Sequence, residues 1–146
     1  MITRKPLALL AAAALFLLLS GCAATSPQVS KETKARIELA NSHLQSGQPR
    51  RSLKELLPLN KQADDVPEYH FLLGMTYLRL EGHTQDALEE LNRAVDMAPK
   101  LGMAWNNLGM AYMTAGQLEE AEQALKQALS ISTYLTPEYA AYNLSR

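Results

Sequence analysis

The fold can be predicted from two stretches of sequence, LLGMTYLRLEGHTQDALEELNRAVDMAP at residues 72–99 and NLGMAYMTAGQLEEAEQALKQALS at residues 107–130. The second stretch repeats the first, with a shift of 35 residues in its first part and 34 residues in its second part. Apolar side chains recur at steps of three and four through both stretches, which predicts amphipathic helices. A repeat of this length made of two such helices predicts stacked helical hairpins.

Glycines occupy two kinds of position in this repeat. Gly47, Gly82 and Gly116 stand where the first helix of each pair must end, because glycine readily adopts the left-handed conformation that closes a helix. Gly74 and Gly109 lie inside predicted helices, where glycine costs about 1 kcal/mol relative to alanine. We therefore expect a neighbouring helix to approach closely at both of these positions.

The residues that recur at equivalent places form a signature. Its members are Gly74, Tyr77, Ala87 and Ala94 in one copy, and Trp105, Gly109, Tyr112, Ala121 and Ala128 in the other. This signature resembles the tetratricopeptide repeat. The resemblance implies an all-α fold of stacked antiparallel helix hairpins wound into a superhelix, with the small Ala87 and Ala121 facing the helical glycines. It also implies that the protein binds other proteins.

The predicted domain covers residues 31–146. Two clear repeats span 67–99 and 101–133, a degenerate repeat spans 31–62, and residues 136–146 form a partial first helix. Pro58 should end the second helix of the degenerate repeat about a turn early, because proline has no backbone donor. The final half-hairpin exposes Tyr139, Tyr142 and Leu144, which predicts either self-association through this end or a longer natural chain.

The N-terminus has the layout of a secretory leader. Arg4 and Lys5 precede an apolar run at residues 7–19, which is too short to span a bilayer comfortably. The stretch Leu19-Ser20-Gly21-Cys22, at the end of this run, resembles the bacterial lipoprotein box. The resemblance implies a signal peptide at 1–21, lipidation (palmitate) at Cys22 and an anchor and linker at 22–30.

By the same resemblance, Ala23 after the lipidated cysteine implies the periplasmic face of the outer membrane. Several acyl chains would anchor the chain stably without a membrane span. The alternative is that Cys22 is a chance small residue in a plain signal peptide. Residues 23–30 show no hydrophobic period and are expected to form a short flexible tether.

Charge excludes one class of partner. The chain has 14 basic and 15 acidic residues, and without the leader its net charge is −3, so we expect no nucleic-acid binding. Residues 31–62 hold seven basic and three acidic residues, whereas 64–146 hold five basic and twelve acidic ones. We interpret these charges as solvated helix faces, and a weak contact of the basic part with anionic lipid is the alternative.

No catalytic or metal-binding constellation is evident. His43, His70 and His83 share no metal-ligand spacing and are interpreted as surface or inter-helix residues. Adjacent acids such as Glu89 and Glu90 diverge on a helix and cannot converge on one substrate atom. The chain lacks a glycine-rich phosphate loop and a nucleophile elbow. We therefore predict a protein that is not an enzyme and needs no cofactor or metal.

The family resemblance implies a concave groove lined by the first helix of each pair. The expected groove residues are Phe71, Met75, Leu78, Arg79, Asn106, Met110, Met113 and Thr114, with Ile37, Asn41 and Leu44 upstream. Methionine suits a surface that must adapt to a partner segment. Family members that bind the tails of chaperones hold the terminal carboxylate of the tail in this groove with polar residues. The corresponding positions of this chain are mostly apolar, which argues against that ligand. The alternative is that these residues are buried against one another or against a missing following helix.

The combination of lipobox, tether and about three repeats resembles the type IV pilus biogenesis lipoproteins, the PilF/PilW pilotins. Tyr134-Leu135-Thr136-Pro137-Glu138 is similar to an inter-repeat segment that some of them have. The resemblance implies binding to the outer-membrane secretin and support of its assembly. A general envelope adaptor that tethers peptidoglycan hydrolases is the alternative, and an enzyme is the third hypothesis.

Overall fold

The computed structural model describes residues 29–145. The predicted leader, Cys22 and most of the linker lie outside the described residues. Within them, seven α-helices and one short 3-10 helix occur and no strand, which confirms the predicted all-α class. The helices are α1 (Lys31–Gln45), α2 (Pro49–Leu56), α3 (Pro67–Leu78), α4 (Thr84–Met97), α5 (Gly102–Thr114), α6 (Leu118–Ser130) and α7 (Pro137–Leu144), and the 3-10 helix is Leu57–Leu59.

The helices stack as successive hairpins. The pairs α1 and α2, α3 and α4, and α5 and α6 each pack together, and each second helix also contacts the first helix of the next pair. The first helices α1, α3, α5 and α7 contact one another in series. They therefore form one layer, which we call the inner layer, and α2, α4 and α6 form the outer layer of the stack.

Glycine closes the first helix of each hairpin, as the sequence predicts. The φ angles of Gly47, Gly82 and Gly116 are 70°, 81° and 75°, all in the left-handed region. After α1, the amide of Gln48 donates to the carbonyl of His43 at 2.9 Å, which satisfies a carbonyl that the helix leaves unpaired. The chain can therefore reverse within a few residues and return as the second helix.

Close packing at the helical glycines also agrees with the prediction. A Cβ atom on Gly74 would lie 2.6 Å from Cγ of Leu91 and 3.2 Å from the carbonyl oxygen of Ala87. A Cβ atom on Gly109 would lie 2.7 Å from Cγ of Leu125. The two helices of these hairpins approach so closely that no side chain larger than hydrogen fits between them.

The first hairpin has a shortened second helix. Helix α2 has 8 residues, whereas α4 has 14 and α6 has 13. It ends at Leu56, and Pro58 lies in the 3-10 turn that follows. The early end agrees with the prediction from Pro58, because proline cannot donate the hydrogen bond that would continue the α-helix.

Three apolar clusters follow one another along the stack. The first includes Leu44, Leu56 and Leu73, the second includes Leu91 and Leu108, and the third includes Leu125. Among residues 29–145, no helix combines the length and the apolar character needed to cross a membrane.

Candidate protein-binding surfaces

The inner layer presents an apolar strip on α5. Met103 and Met110 are spaced seven residues apart, on one helix face, and their exposed fractions are 46% and 41%. Met110 is one of the groove residues predicted from the sequence. Met103 was not predicted, although its spacing of seven residues from Met110 places it on the same helix face. Apolar side chains this exposed on a helix face are available to a partner.

The other predicted apolar groove residues are half-buried between hairpins. Phe71 and Leu78 pack against the second cluster, Met75 against the first and Met113 against the third. Upstream, Ile37 is half-buried on the first cluster, and Asn41 is exposed. These side chains therefore join neighbouring hairpins and present only part of their surface on the inner layer.

The structure corrects two predicted groove positions. Asn106 is only 7% exposed, and its side-chain oxygen accepts a hydrogen bond from Nδ2 of Asn143 in α7 at 3.1 Å. Leu44 is 4% exposed and belongs to the first cluster. Asn106 is covered by α7, a helix that the chain itself contains. Neither residue is accessible to a partner in this structure.

Arg79 and Thr114 lie at the ends of their helices and are exposed. The hydroxyl of Thr114 donates to the carbonyl of Met110 at 2.9 Å. Arg79 is the C-terminal cap of α3 and lines a cleft beside the turn of the first hairpin. Seven of the eight predicted residues therefore divide among an exposed strip, the packing between hairpins and this cleft, and Thr114 is exposed at the end of α5.

The signature aromatic residues make structural contacts. Nε1 of Trp105 donates to the carbonyl of Pro99 at 2.9 Å, and the hydroxyl of Tyr112 lies 3.3 Å from Nδ2 of Asn92. The ring of Tyr77 stacks on His83 with centroids 5.3 Å apart. The signature alanines, Ala87, Ala94, Ala121 and Ala128, are all buried. These residues position the helices that carry the exposed strip.

His70 is buried between helices, and its side chain is only 1% exposed. The sequence alone did not indicate which groups its ring nitrogens contact. Its Nδ1 lies 2.6 Å from Oε2 of Glu90, and its Nε2 donates to the carbonyl of Asp64 at 3.0 Å. Asp64 also pairs with Arg93 at 2.5 Å. These bonds join α3, α4 and the loop between the first two hairpins.

The phenol of Tyr69, the residue before His70, has a raised pKa. Burial, and after it the negative charge of Glu90, raises the pKa of the Tyr69 phenol from 10.0 to about 12. The three histidines lie in separate environments, with His83 bonded to Asp86. In residues 29–145, no group of three or more His, Cys, Asp or Glu side chains is arranged to hold a metal ion.

Comparison with known proteins identifies the repeat. Two family models, both described as tetratricopeptide repeat, match residues 37–100 and 103–132, together more than half of the chain. A TPR repeat-containing protein of Pseudomonas aeruginosa is 42% identical over 60 residues, which are 41% of this chain and 56% of that protein. An uncharacterized protein of Haemophilus influenzae is 29% identical over 103 residues, 69% of this chain and 56% of that protein. The chain thus spans little more than half the length of these relatives.

Solved structures share the fold. The Sgt2 TPR domain from Aspergillus fumigatus superposes with a TM-score of 0.74 at 18% identity, covering 82% of this chain and 79% of that one. The second TPR of Spaghetti (RPAP3), solved bound to an HSP90 peptide, superposes with a TM-score of 0.67 at 17% identity. The superposition covers 73% of this chain and 97% of that one. At this level of identity the likeness establishes the architecture alone.

Proposed function

Because the chain belongs to the tetratricopeptide-repeat family, we propose that it is a non-enzymatic scaffold that holds a segment of another protein on its inner layer. The proposal rests on one observation, the exposed methionine strip on α5, with Met103 and Met110 more than two-fifths exposed. An adaptable apolar strip on a stacked-hairpin fold suits a helix or an extended peptide. The RPAP3 domain was solved with a peptide bound, which supports the same use of this fold.

We further propose that the chain acts at the bacterial envelope. The resemblance of Leu19-Ser20-Gly21-Cys22 to a lipoprotein box supports lipidation of Cys22 and a place on the periplasmic face of the outer membrane. The resemblance to the pilotins supports assistance to type IV pilus and secretin assembly. On this proposal the scaffold holds secretin subunits near the membrane where they assemble.

A matched pair of substitutions tests the inner strip. Met110→Glu places a charge on the inner layer, whereas Met97→Glu places the same charge on the outer layer at a residue of nearly equal exposure, 40% against 41%. In cells that depend on this chain, Met110→Glu should reduce heat-stable secretin multimers several-fold, since an apolar contact rejects an unpaired charge. Met97→Glu should leave the multimers unchanged. Equal effects of both variants, or unchanged multimers after deletion of the gene, would refute the secretin role.

A photocrosslinking residue at Met110 separates the two candidate roles. A crosslink to the secretin supports the assembly role. Crosslinks to peptidoglycan hydrolases, without the secretin, support the general envelope adaptor. If crosslinks from Met110 match those from Met97, the inner strip is not the docking surface.

A further inference from the structure

A second surface of distinct chemistry lies at the turn end of the first two hairpins. A cleft of about 790 Å³ opens between the turn after α1 and the turn after α3. We call it the arginine cleft and define it by Arg50, Arg51, Arg79, Leu53, Leu80 and Glu81, which line it. Three arginines, one glutamate and His83 therefore line one hollow.

The arginines of this cleft make few polar contacts with the rest of the fold. Within residues 29–145, Arg50 and Arg79 have no side-chain hydrogen bond or ion pair, and Arg51 bonds only to Oε1 of Gln48 at 2.8 Å. Arg50 and Arg51 occupy the first turn of α2, which has no acidic residue. Basic residues are unfavourable at this end of a helix because the helix dipole is positive there. Their placement thus costs α2 some stability and concentrates positive charge beside the cleft.

The chemistry of the lining defines what fits. Guanidinium groups bind carboxylates through paired, charge-assisted hydrogen bonds. Leu53 and Leu80 are half-buried and add an aliphatic surface to the same hollow. A segment in which acidic side chains flank an aliphatic one would satisfy both features. The aliphatic side chains beside the arginines favour a peptide over the polar headgroups of anionic lipids.

We propose that the arginine cleft binds an acidic segment of a partner protein, independently of the inner methionine strip. The part of the chain that contains Arg50 and Arg51, residues 31–62, holds seven basic and three acidic residues, so its net positive charge also favours an acidic partner. The cleft would give a bound partner a second point of attachment. Two linked contacts raise the overall affinity beyond that of either contact alone.

The test uses the full chain with a fluorescein-labelled hexapeptide of four glutamates and two leucines. Fluorescence anisotropy should show saturable binding that weakens as salt rises. The double variant Arg50→Glu/Arg79→Glu should bind about tenfold more weakly, since two charge-assisted contacts become repulsive. The matched control is Lys100→Glu, an exposed charge reversal in the connection between α4 and α5, which should change the affinity less than twofold.

Two further comparisons keep the proposal falsifiable. A hexapeptide with glutamine in place of glutamate should bind at least tenfold more weakly; equal binding of the two peptides would overturn the proposal. Phosphatidylglycerol vesicles should displace the labelled peptide no better than phosphatidylcholine vesicles; preferential displacement would assign the cleft to lipid instead. Unchanged circular dichroism of the double variant, whose altered residues are exposed, should show that the fold is retained, and Arg51→Glu provides a second variant with the same expected loss.

Discussion

Gly74 and Gly109 show how a single hydrogen atom sets the distance between two helices. Each glycine is buried inside a helix, and a β-carbon at either place would overlap a leucine of the partner helix at less than 3 Å. Glycine is poor in helices, so the packing that it permits must outweigh its lower propensity. The same glycines belong to the family signature, and the close approach recurs in the second and third hairpins.

Replacement of Gly74 by alanine tests this packing. Alanine normally stabilises a helix by about 1 kcal/mol over glycine, but here we expect Gly74→Ala to lower the free energy of unfolding by about 1–3 kcal/mol, because the methyl group overlaps Leu91. Urea denaturation followed by circular dichroism measures the change. In the double variant Gly74→Ala/Leu91→Ala, the loss should be smaller than the sum of the two single losses. A Gly74→Ala variant more stable than the wild type would contradict the close approach.

The buried phenol of Tyr69 makes stability depend on alkaline pH. Its pKa rises from 10.0 to about 12 on folding, so the folded state binds the phenolic proton more tightly than the unfolded state. This tighter binding of the proton contributes about 2 to 3 kcal/mol to the free energy of unfolding. The contribution is complete below pH 10 and is lost as the pH rises from 10 to 12.

Tyr69→Phe should therefore flatten the fall of the unfolding free energy between pH 10 and 12. Urea denaturation at a series of alkaline pH values measures the slope. Tyr139→Phe is the control, because Tyr139 is 60% exposed. If the slope of Tyr69→Phe equals that of Tyr139→Phe, the phenol of Tyr69 is not the group responsible.

At the scale of the element, helix ends explain the bounds of this fold. Helix α1 starts after Ser30, whose side-chain oxygen accepts a hydrogen bond from the amide of Thr33 at 3.0 Å. Helix α2 starts with Pro49 and lacks a side-chain cap. The first hairpin therefore combines one well-capped helix with one short and uncapped helix.

Ser30→Ala should remove the cap of α1 and lower the free energy of unfolding by about 1 kcal/mol. The amides of the first turn of α1, including Thr33, should also exchange with solvent faster, which hydrogen exchange measured by NMR can detect. Ser42→Ala is the matched control: Ser42 is exposed within α1, and alanine there should be neutral or slightly stabilising. Equal losses in both variants would show that the cap of α1 contributes nothing.

At the scale of the whole molecule, stability should vary along the stack. Within residues 29–145, helices α3 and α5 pack against helices on both sides of them, whereas α1 and α7 lie at the two ends of the stack. In repeat folds the stability of a unit depends on its own packing and on its interfaces with its neighbours. The two ends of the stack should therefore open more often than its centre.

Native-state hydrogen exchange checks this gradient. Amides at the centre of α5, such as that of Leu108, should exchange at least tenfold more slowly than amides at the centre of α7, such as that of Ala140. Uniform exchange rates across the helices would indicate a single cooperative unit instead. The gradient also matters for function, because the inner strip lies on α5, which is expected to be protected.

Much of this architecture could be predicted because its signals are local in sequence. The positions of Gly47, Gly82 and Gly116 predicted the three turns, and Pro58 predicted the early end of α2. The candidate site was predicted less completely. The family resemblance implied a groove position for both Met110 and Asn106, but it could not show that α7 packs over Asn106.

The repeat, the helices, their turns and the need for close approach at the helical glycines could all be predicted from the chain's residues, because each depends on periodicity or on the conformational preference of one residue type. The packing of the hairpins was needed to show which apolar residues stay exposed, how the ring nitrogens of His70 are hydrogen-bonded, and that Arg79 joins Arg50 and Arg51 at one cleft. These outcomes depend on contacts between residues far apart in the chain. Such contacts leave no periodic trace in the sequence, because they depend on how whole hairpins stack.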